Sequence, residues 1–525
     1  MTTPPSHLSR SQVLGTVLCA LAFVWLCLPI VDATLLAPQW DEFIRLTNAR
    51  RVFMGERPWV DYVEHTGTGA DLLYAGLFFV VGGANAGAAR LFTLILVAAG
   101  SSAGFLYLRA RRVSTSVAVV ACALFPLVLF QIWPVPHHHW LSAVFGVFAI
   151  AVAPRVPVVA GLLLGFSLLC TQSAGVVACA AGAASLVFAV DPRRTALRVG
   201  VGVGVITALL AAYIVANGAW GKFVDFALVF PLSGYVAPGG PNDITFSWEL
   251  SERMALVWQA DHSLLLKLLA TGALLAATWA PAFLVAVAVF LVVTRARRSP
   301  LSALALVGLL VTCWIGFRPR PDVFHGAVVA ILPALVLPLF VQDSPRLRVL
   351  FTAVVGAACA LGLVSLVVNR ALAQRPPSVF AKVDSTDRAL AGLSEADALM
   401  VSQDRRLSRV RRFLVEHPDA RLFAAPVGAA ANFFGPRPAA PLTLVYDPTV
   451  PYLRDADYGL IADALELRPA DLVMLTTREA EAAFLHPPSF RGRDVERLAA
   501  LLRDGYVEAG RDGSTVFFVP VQPER

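Results

Sequence analysis

Apolar residues run through this chain in long, nearly unbroken stretches as far as about residue 367 and then give way to short alternating patterns. A run of about 17 to 25 apolar residues can cross hydrocarbon as a helix, because a helix satisfies its own backbone hydrogen bonds. Eleven runs can be placed, approximately at 14–36, 90–108, 113–133, 139–153, 156–172, 174–190, 199–216, 264–293, 300–317, 324–341 and 349–367; the short fourth and fifth are parted only by Ala153-Pro154-Arg155 and could instead form a tight hairpin. The run 68–82 holds only about 13 continuous apolar residues, too few to cross, and is expected to lie as a helix at the membrane interface. In the tail, strand-like runs at 421–427, 442–446, 471–476 and 515–521 alternate with amphipathic stretches at 394–415 and 494–503, which predicts a small α/β domain.

Composition agrees with lipid as the main solvent. The chain has 525 residues, 57% hydrophobic and 15% charged, with a mean hydropathy of +0.68. A soluble domain carries about 25% charged residues, so an ordinary soluble enzyme is excluded. The net charge of +7 comes from basic residues bunched between apolar runs, which fits membrane orientation and not nucleic-acid binding. Arg109, Arg111 and Arg112, Arg155, Arg193, Arg194 and Arg198, Arg295, Arg297 and Arg298, and Arg346 and Arg348 all fall on alternate loops, on the side of the N-terminus. That side is read as cytoplasmic; the loops at 134–138 and near 173 have no Lys or Arg.

The fold class is therefore a polytopic α-helical membrane protein of about 11 transmembrane helices, N-terminus inside. Its membrane module spans 1–370, with long outer loops at 37–89 and 217–262, and an extracytoplasmic α/β domain follows over 371–525. All seven cysteines lie inside the apolar runs and read as small core hydrophobes, with no disulfide framework. Val31-Asp32-Ala33 resembles a cleavage site, but the apolar stretch before it exceeds a signal core, so the first run is expected to stay as an anchor. Abundant Ala, Val, Leu and Arg with few Lys point to a bacterial cytoplasmic (inner) membrane. The tail has no Gly-rich phosphate loop after a strand and is assigned no nucleotide.

The candidate chemistry gathers at the outer ends of the runs. Asp41 and Glu42 directly follow the first run; a carboxylate there suits a general base, and Asp41 equally suits a helix N-cap. Trp133-Pro134-Val135-Pro136-His137-His138-His139-Trp140 sets a histidine triplet at the interface. Neighbours on a helix differ by about 100° in direction, so one or two of the three are expected to face a cavity, donating to phosphate or holding a divalent ion. Arg318-Pro319-Arg320-Pro321-Asp322-Val323-Phe324-His325 puts two arginines against the charge bias; their planar forks suit a phosphate, while lipid contact or pairing with Asp322 is the plainer alternative. The loop 217–262 carries Trp220, Lys222, Asp225, Tyr235, Asp243, Trp248, Glu249 and Arg253, a mixture suited to a sugar or to an interfacial belt.

The order of these features resembles the polyprenyl-phosphate-sugar-dependent glycosyltransferases of the C-type membrane fold. Those features are an anchored first run, the acidic pair at its outer end, Gly55-Glu56-Arg57-Pro58-Trp59, then Asp61-Tyr62, and an interfacial helix ending in Gly-Gly-Ala-Asn before Ala88-Ala89-Arg90. More narrowly it is similar to the family 39 group that contains protein mannosyltransferases and the lipid A aminoarabinose transferase. The resemblance covers most of residues 12–370 and implies inverting transfer of a sugar from a polyprenyl-phosphate donor to a lipid, glycan or protein acceptor. It implies Asp41 as the base, with Glu42 as fallback. Where many relatives carry a His or Lys and prolines, this chain has Glu64-His65-Thr66-Gly67-Thr68-Gly69; His65 either stands in as phosphate donor beside Arg318, Arg320 and His325 or is a solvated loop histidine. Tyr235, Asp243, Asp61 and Tyr62 are the sugar or acceptor candidates. A divalent ion at His137, His138 and His139 is the one cofactor candidate. A transporter or flippase of lipid-linked sugars and a non-catalytic scaffold stand as rivals, although no internal repeat is visible and the ionisable residues crowd the ends of the runs.

Overall fold

A computed structural model describes residues 9–28, 40–64, 66–230, 246–259, 263–295, 299–318, 322–372, 378–425, 428–442, 453–487 and 492–521. The chain divides into two compact units. One comprises Met1–Ile30, Arg90–Tyr213 and Ile244–Pro376; the other comprises Val31–Ala89, Ile214–Asp243 and Pro377–Arg525.

The first unit is helical. Every one of the eleven apolar runs carries a helix: Arg10–Cys27, Ala86–Ala110, Thr115–Leu124 with its continuation to Ile132, His138–Val152, Pro157–Cys170, Gln172–Leu186, Pro192–Ala216, Leu264–Arg295, Pro300–Phe317, Val323–Val341 and Pro345–Leu372. Their starts are written locally. Ser9 Oγ accepts from Gln12 N while Ser9 N donates to Gln12 Oε1, a capping box, and Pro157, Pro192, Pro300 and Pro345 open their helices where a missing N–H costs nothing. Eight helices among the described residues are long and apolar enough to cross a membrane. His138–Val152, Pro157–Cys170 and Gln172–Leu186, with 15, 14 and 15 residues, are shorter and pack on one another. The last part of the first run, 29–36, lies outside the described residues.

Val323–Val341 is buried along nearly its whole length, packed by the helices His138–Val152, Gln172–Leu186, Leu264–Arg295 and Pro300–Phe317. Small residues let neighbouring helices close. Ser142 and Ser167 bond across the first two short helices, Oγ to Oγ at 2.8 Å and each hydroxyl to the other's carbonyl. Gly161 lies so close to Pro192–Ala216 that a Cβ there would sit 2.0 Å from Val199 O, and one on Gly202 would sit 2.2 Å from Val158 O.

The second unit holds a five-stranded sheet of β1 (Arg421–Ala425), β2 (Arg437–Pro438), β3 (Leu472–Leu475), β4 (Tyr506–Asp512) and β5 (Thr515–Pro520), in the order β2-β1-β3-β5-β4. β1 is parallel to β2 and β3, and β5 is antiparallel to β3 and β4. The first loop is stitched to this tail: Val63 N donates to Pro441 O at 3.0 Å, Arg51 to Ala440 O at 3.1 Å and Thr47 to Ala429 O at 2.9 Å. Phe43, on the helix Trp40–Phe53, packs 5.5 Å from the rings of both Phe433 and Phe434. The helix Gly69–Val81 is present where the interfacial run was expected and ends on Gly82 at φ 76°.

The tail departs from the sequence reading in detail. The stretch 394–415 is two helices, Glu395–Gln403 and Arg405–Glu416, because the Asp404 carboxylate accepts from Arg406 N at 2.9 Å and starts the second afresh. At 442–446, Leu442 makes a single bridge to Val63 and the rest lies outside the described residues. The helices Asp455–Leu467 and Arg478–Leu485 and the strands β2 and β4 were not foreseen.

The glycine crossing generates a prediction. Gly161→Leu or Gly202→Leu should lower the unfolding free energy of the detergent-solubilised protein by about 1–3 kcal/mol. Gly204→Ala, whose Cβ meets nothing within 4 Å, should stay within about 0.5 kcal/mol; thermal unfolding of all three checks it.

Candidate functional site

The membrane unit builds one polar constellation at the start of its buried helix. Thr115–Leu124 widens into a π-type turn over Phe125–Leu129, where Pro126 cannot donate, and ends at Ile132. Two prolines then keep the chain extended to His137, whose backbone sits at φ −149°, ψ 141° before the helix His138–Val152; its Nδ1 accepts from His139 N at 3.3 Å. The helical argument for divergence applies to two of the three histidines. Only His138 and His139 are helical, so the extended His137 can fold its ring back over theirs. All three are buried, their ring centroids lie 4.1–5.0 Å apart, and their candidate ligand atoms all lie within 4.8 Å of one another.

Across from them, Asp322 caps Val323–Val341, accepting from His325 N at 2.7 Å, and its carboxylate lies 2.8 Å from His325 Nδ1. The His325 ring stands edge-on to His139 at 4.9 Å, and Phe324 packs against His137, Trp133 and Trp140. Arg253, from the helix Phe246–Gln259, covers the Trp133 ring at 5.2 Å and donates to Ile132 O at 3.4 Å. Four imidazoles, a carboxylate and a guanidinium framed by aromatics form a site able to hold an anion or a metal ion.

In the second unit, a buried charge network underlies the first loop. Arg45 donates to Glu64 at 2.6 Å and to Thr66 at 2.9 Å, and lies 3.5 Å from Asp71. Asn48 donates to Glu64 at 2.5 Å, and the Tyr62 hydroxyl lies 3.4 Å from Asp71. Burial pulls the Arg45 guanidinium down, but Glu64 and Asp71 outweigh it and its pKa ends above the ordinary value. Burial lifts the Asp71 carboxyl well above the carboxylate range, Arg45 opposes this and Glu64 adds to it. Among the described residues Arg45 faces both Glu64 and Asp71, and the negative charge is relieved because Asp71 keeps its proton to higher pH. The sequence signal was a lone carboxylate in the first turn of an otherwise apolar helix.

Of the residues singled out from the sequence, Asp41 is the second residue of Trp40–Phe53, inside the first turn and not ahead of it as a cap; its side chain lies outside the described residues. Glu42 is fully buried. Asp61 closes a turn by accepting from Arg57 N at 2.7 Å, and burial of Tyr62 under the Arg51 guanidinium makes it a strut and not an open sugar contact. Arg318 is exposed at the end of Pro300–Phe317. His65, Arg320, Tyr235 and Asp243 lie outside the described residues, as do the side chains of Trp248 and Glu249. Asp225 binds Arg454 through two bonds of 2.7 and 2.8 Å, tying the second loop to the tail.

No protein-family model matches the sequence, and no curated protein matches it. Solved structures do match. ArnT from Cupriavidus metallidurans, solved bound to undecaprenyl phosphate, is 13% identical with a TM-score of 0.53, over 98% of this chain and all of its own. The oligosaccharyltransferase AglB of Archaeoglobus fulgidus, in complex with an inhibitory peptide and a dolichol-phosphate, is 14% identical with a TM-score of 0.44, over 89% of this chain and 70% of its own. The mycobacterial arabinofuranosyltransferase AftD gives 13% and 0.43, over 100% and 41%. The chain is thus a polytopic helical membrane protein with a small C-terminal sheet. Its fold is like that of ArnT, itself a protein of the C-type membrane fold, along a match that runs nearly end to end.

Two outcomes are expected from the buried network. Arg45→Met leaves Glu64 buried without its cation and should cost about 3–5 kcal/mol of unfolding free energy. Below about pH 4 Asp71 is protonated in both folded and unfolded chains and contributes nothing; as pH rises the unfolded chain ionises first, so Asp71 progressively subtracts stability. Asp71→Asn should therefore gain on the unaltered protein as pH rises above about 4, read by denaturant unfolding in detergent.

Proposed function

We propose that the protein is a glycosyltransferase that moves a sugar from a polyprenyl-phosphate donor to an acceptor outside the cytoplasmic membrane of a bacterium, inverting the anomeric carbon. The observation that carries this reading is the histidine and aromatic constellation at one end of the membrane unit, in a fold like that of a protein solved with undecaprenyl phosphate. Orientation is supported by the arginine clusters, which fall on alternate connections between the helices. In this reading the histidine end and the tail face outward.

Asp41 removes the acceptor proton as the new glycosidic bond forms at the anomeric carbon and the carrier phosphate leaves with the old bond's electrons. Glu42, fully buried, is the poorer base. Arg318 and Arg320, His325 and the histidine run hold the departing phosphate, where fixed positive charge and N–H donors count most once water is thinned. His65 serves as a further donor, and Tyr235 and Asp243 meet the sugar or acceptor. Asp322 fixes the His325 ring and hence the nitrogen it offers. Three imidazoles with nitrogens within 4.8 Å also form a donor set that suits zinc or a similar divalent ion. Held by His137, His138 and His139, such an ion would supply positive charge beside the phosphate.

Transfer from radiolabelled polyprenyl-phosphate sugars to envelope acceptors, in membranes of equal expression, tests the assignment. Asp41→Asn should fall by about 100-fold or more, while Glu42→Gln keeps most activity. Loss only in Glu42→Gln would move the base to Glu42, and no transfer from any donor by the unaltered protein would overturn the enzyme in favour of a flippase or scaffold. For the ion, the protein as purified should contain close to one equivalent of divalent metal, lost in His138→Ala; a metal-free preparation would leave the histidines as direct donors.

A further inference from the structure

We infer that the second unit carries a separate binding pocket for an acidic saccharide, one bearing a phosphate or carboxylate. The pocket is a cavity of about 380 Å³ in which the end of Trp40–Phe53, the turn 82–85 and the tail helices meet. Three cations line it, Arg50, Lys382 and Arg411, against a single acid, Asp397. That acid is committed: its Oδ1 accepts from Gly87 N at 3.1 Å, and its own backbone N–H is held by Ser394. The arginines are only partly used. Arg50 spends Nη1 on Asn432 O at 2.6 Å and Pro436 O at 3.5 Å. Arg411 makes one long bond to Phe434 O at 3.5 Å, and its buried Nε has no hydrogen-bond partner among the described residues.

A buried guanidinium N–H without an acceptor, as at Arg411 Nε, is costly and is relieved by an anion. The electrostatics agree in direction: burial and the neighbouring Arg411 and Arg437 pull Arg50 down to about 10, and burial pulls Arg411 down. The remaining walls are aromatic, with Phe53, Phe433 and Phe434 beside the exposed Phe380. Flat apolar walls with a few fixed donors suit a sugar ring that carries a charged group. The pocket stands at the opposite end of Trp40–Phe53 from Asp41, 12 residues or about 18 Å along the helix. It is therefore not the place of the proposed base, and the inference goes beyond the catalytic reading and does not depend on it.

Direct binding to the full chain in nanodiscs tests the pocket without any transfer reaction. The probes are glucuronic acid, glucose 6-phosphate, glucose, inorganic phosphate and phosphatidylglycerol vesicles, titrated calorimetrically. The acidic sugars should bind and glucose should not. Arg50→Gln and Arg411→Gln should each weaken binding about 10-fold or more. Gly83→Trp, at a position whose Cβ meets nothing within 4 Å, should fill the pocket and abolish binding while leaving thermal unfolding unchanged. The inference is overturned if the acidic sugars do not bind, if glucose binds as tightly, or if neither arginine variant nor the tryptophan changes affinity. Inorganic phosphate binding as tightly as glucose 6-phosphate, or binding confined to the lipid vesicles, would overturn its saccharide part.

Discussion

A helix whose first turn is buried must find acceptors for its first N–H groups within the protein. Val323–Val341 meets this constraint with Asp322, and the organisation of the membrane unit's site follows from that carboxylate. The same oxygen that takes the His325 amide also takes the His325 ring, so capping the helix and orienting an imidazole are one act. Phe324, carried between them, is pressed against Trp133, Trp140 and His137. A helix buried on all sides cannot rotate to relieve a misfit, so its first turn is a rigid edge against which the histidine run is set.

The second unit solves a related problem by pairing. Its first loop buries Arg45 with two acids, and the cost of removing three ionisable groups from water is limited by letting one of them stay neutral. The network's partners come from the helix Trp40–Phe53, the turn after Tyr62 and the helix Gly69–Val81, so a charge arrangement, and not only apolar contact, fixes how these three segments meet. Burial of this kind is exacting, since each polar atom has few alternative partners.

Much of this was legible in the chain itself. The membrane helices are written in run length and in prolines at their first positions, and all eleven runs proved helical. The histidine run and Asp322-Val323-Phe324-His325 stood out because polar residues at the ends of apolar runs need a reason. What stayed hidden depends on long-range meeting. The pairing of Glu64 with Arg45, or of Asp225 with Arg454 across 229 positions, has no local signature. β4 was missed because its residues Tyr506–Asp512 are mostly polar and exposed at the sheet edge, where no buried face imposes alternation. The histidine geometry was hidden for a different reason: the helix starts one residue after the triplet begins, and that single extended residue changes where a ring points.

The three short helices have a mechanical meaning for the lipid. At 14 or 15 residues they are about 22 Å long, against a hydrocarbon layer of about 30 Å. Val158, Val159 and Val176 on two of them are exposed, so lipid tails there meet a wall shorter than themselves. The bilayer must thin along that face to avoid exposing apolar chain to water.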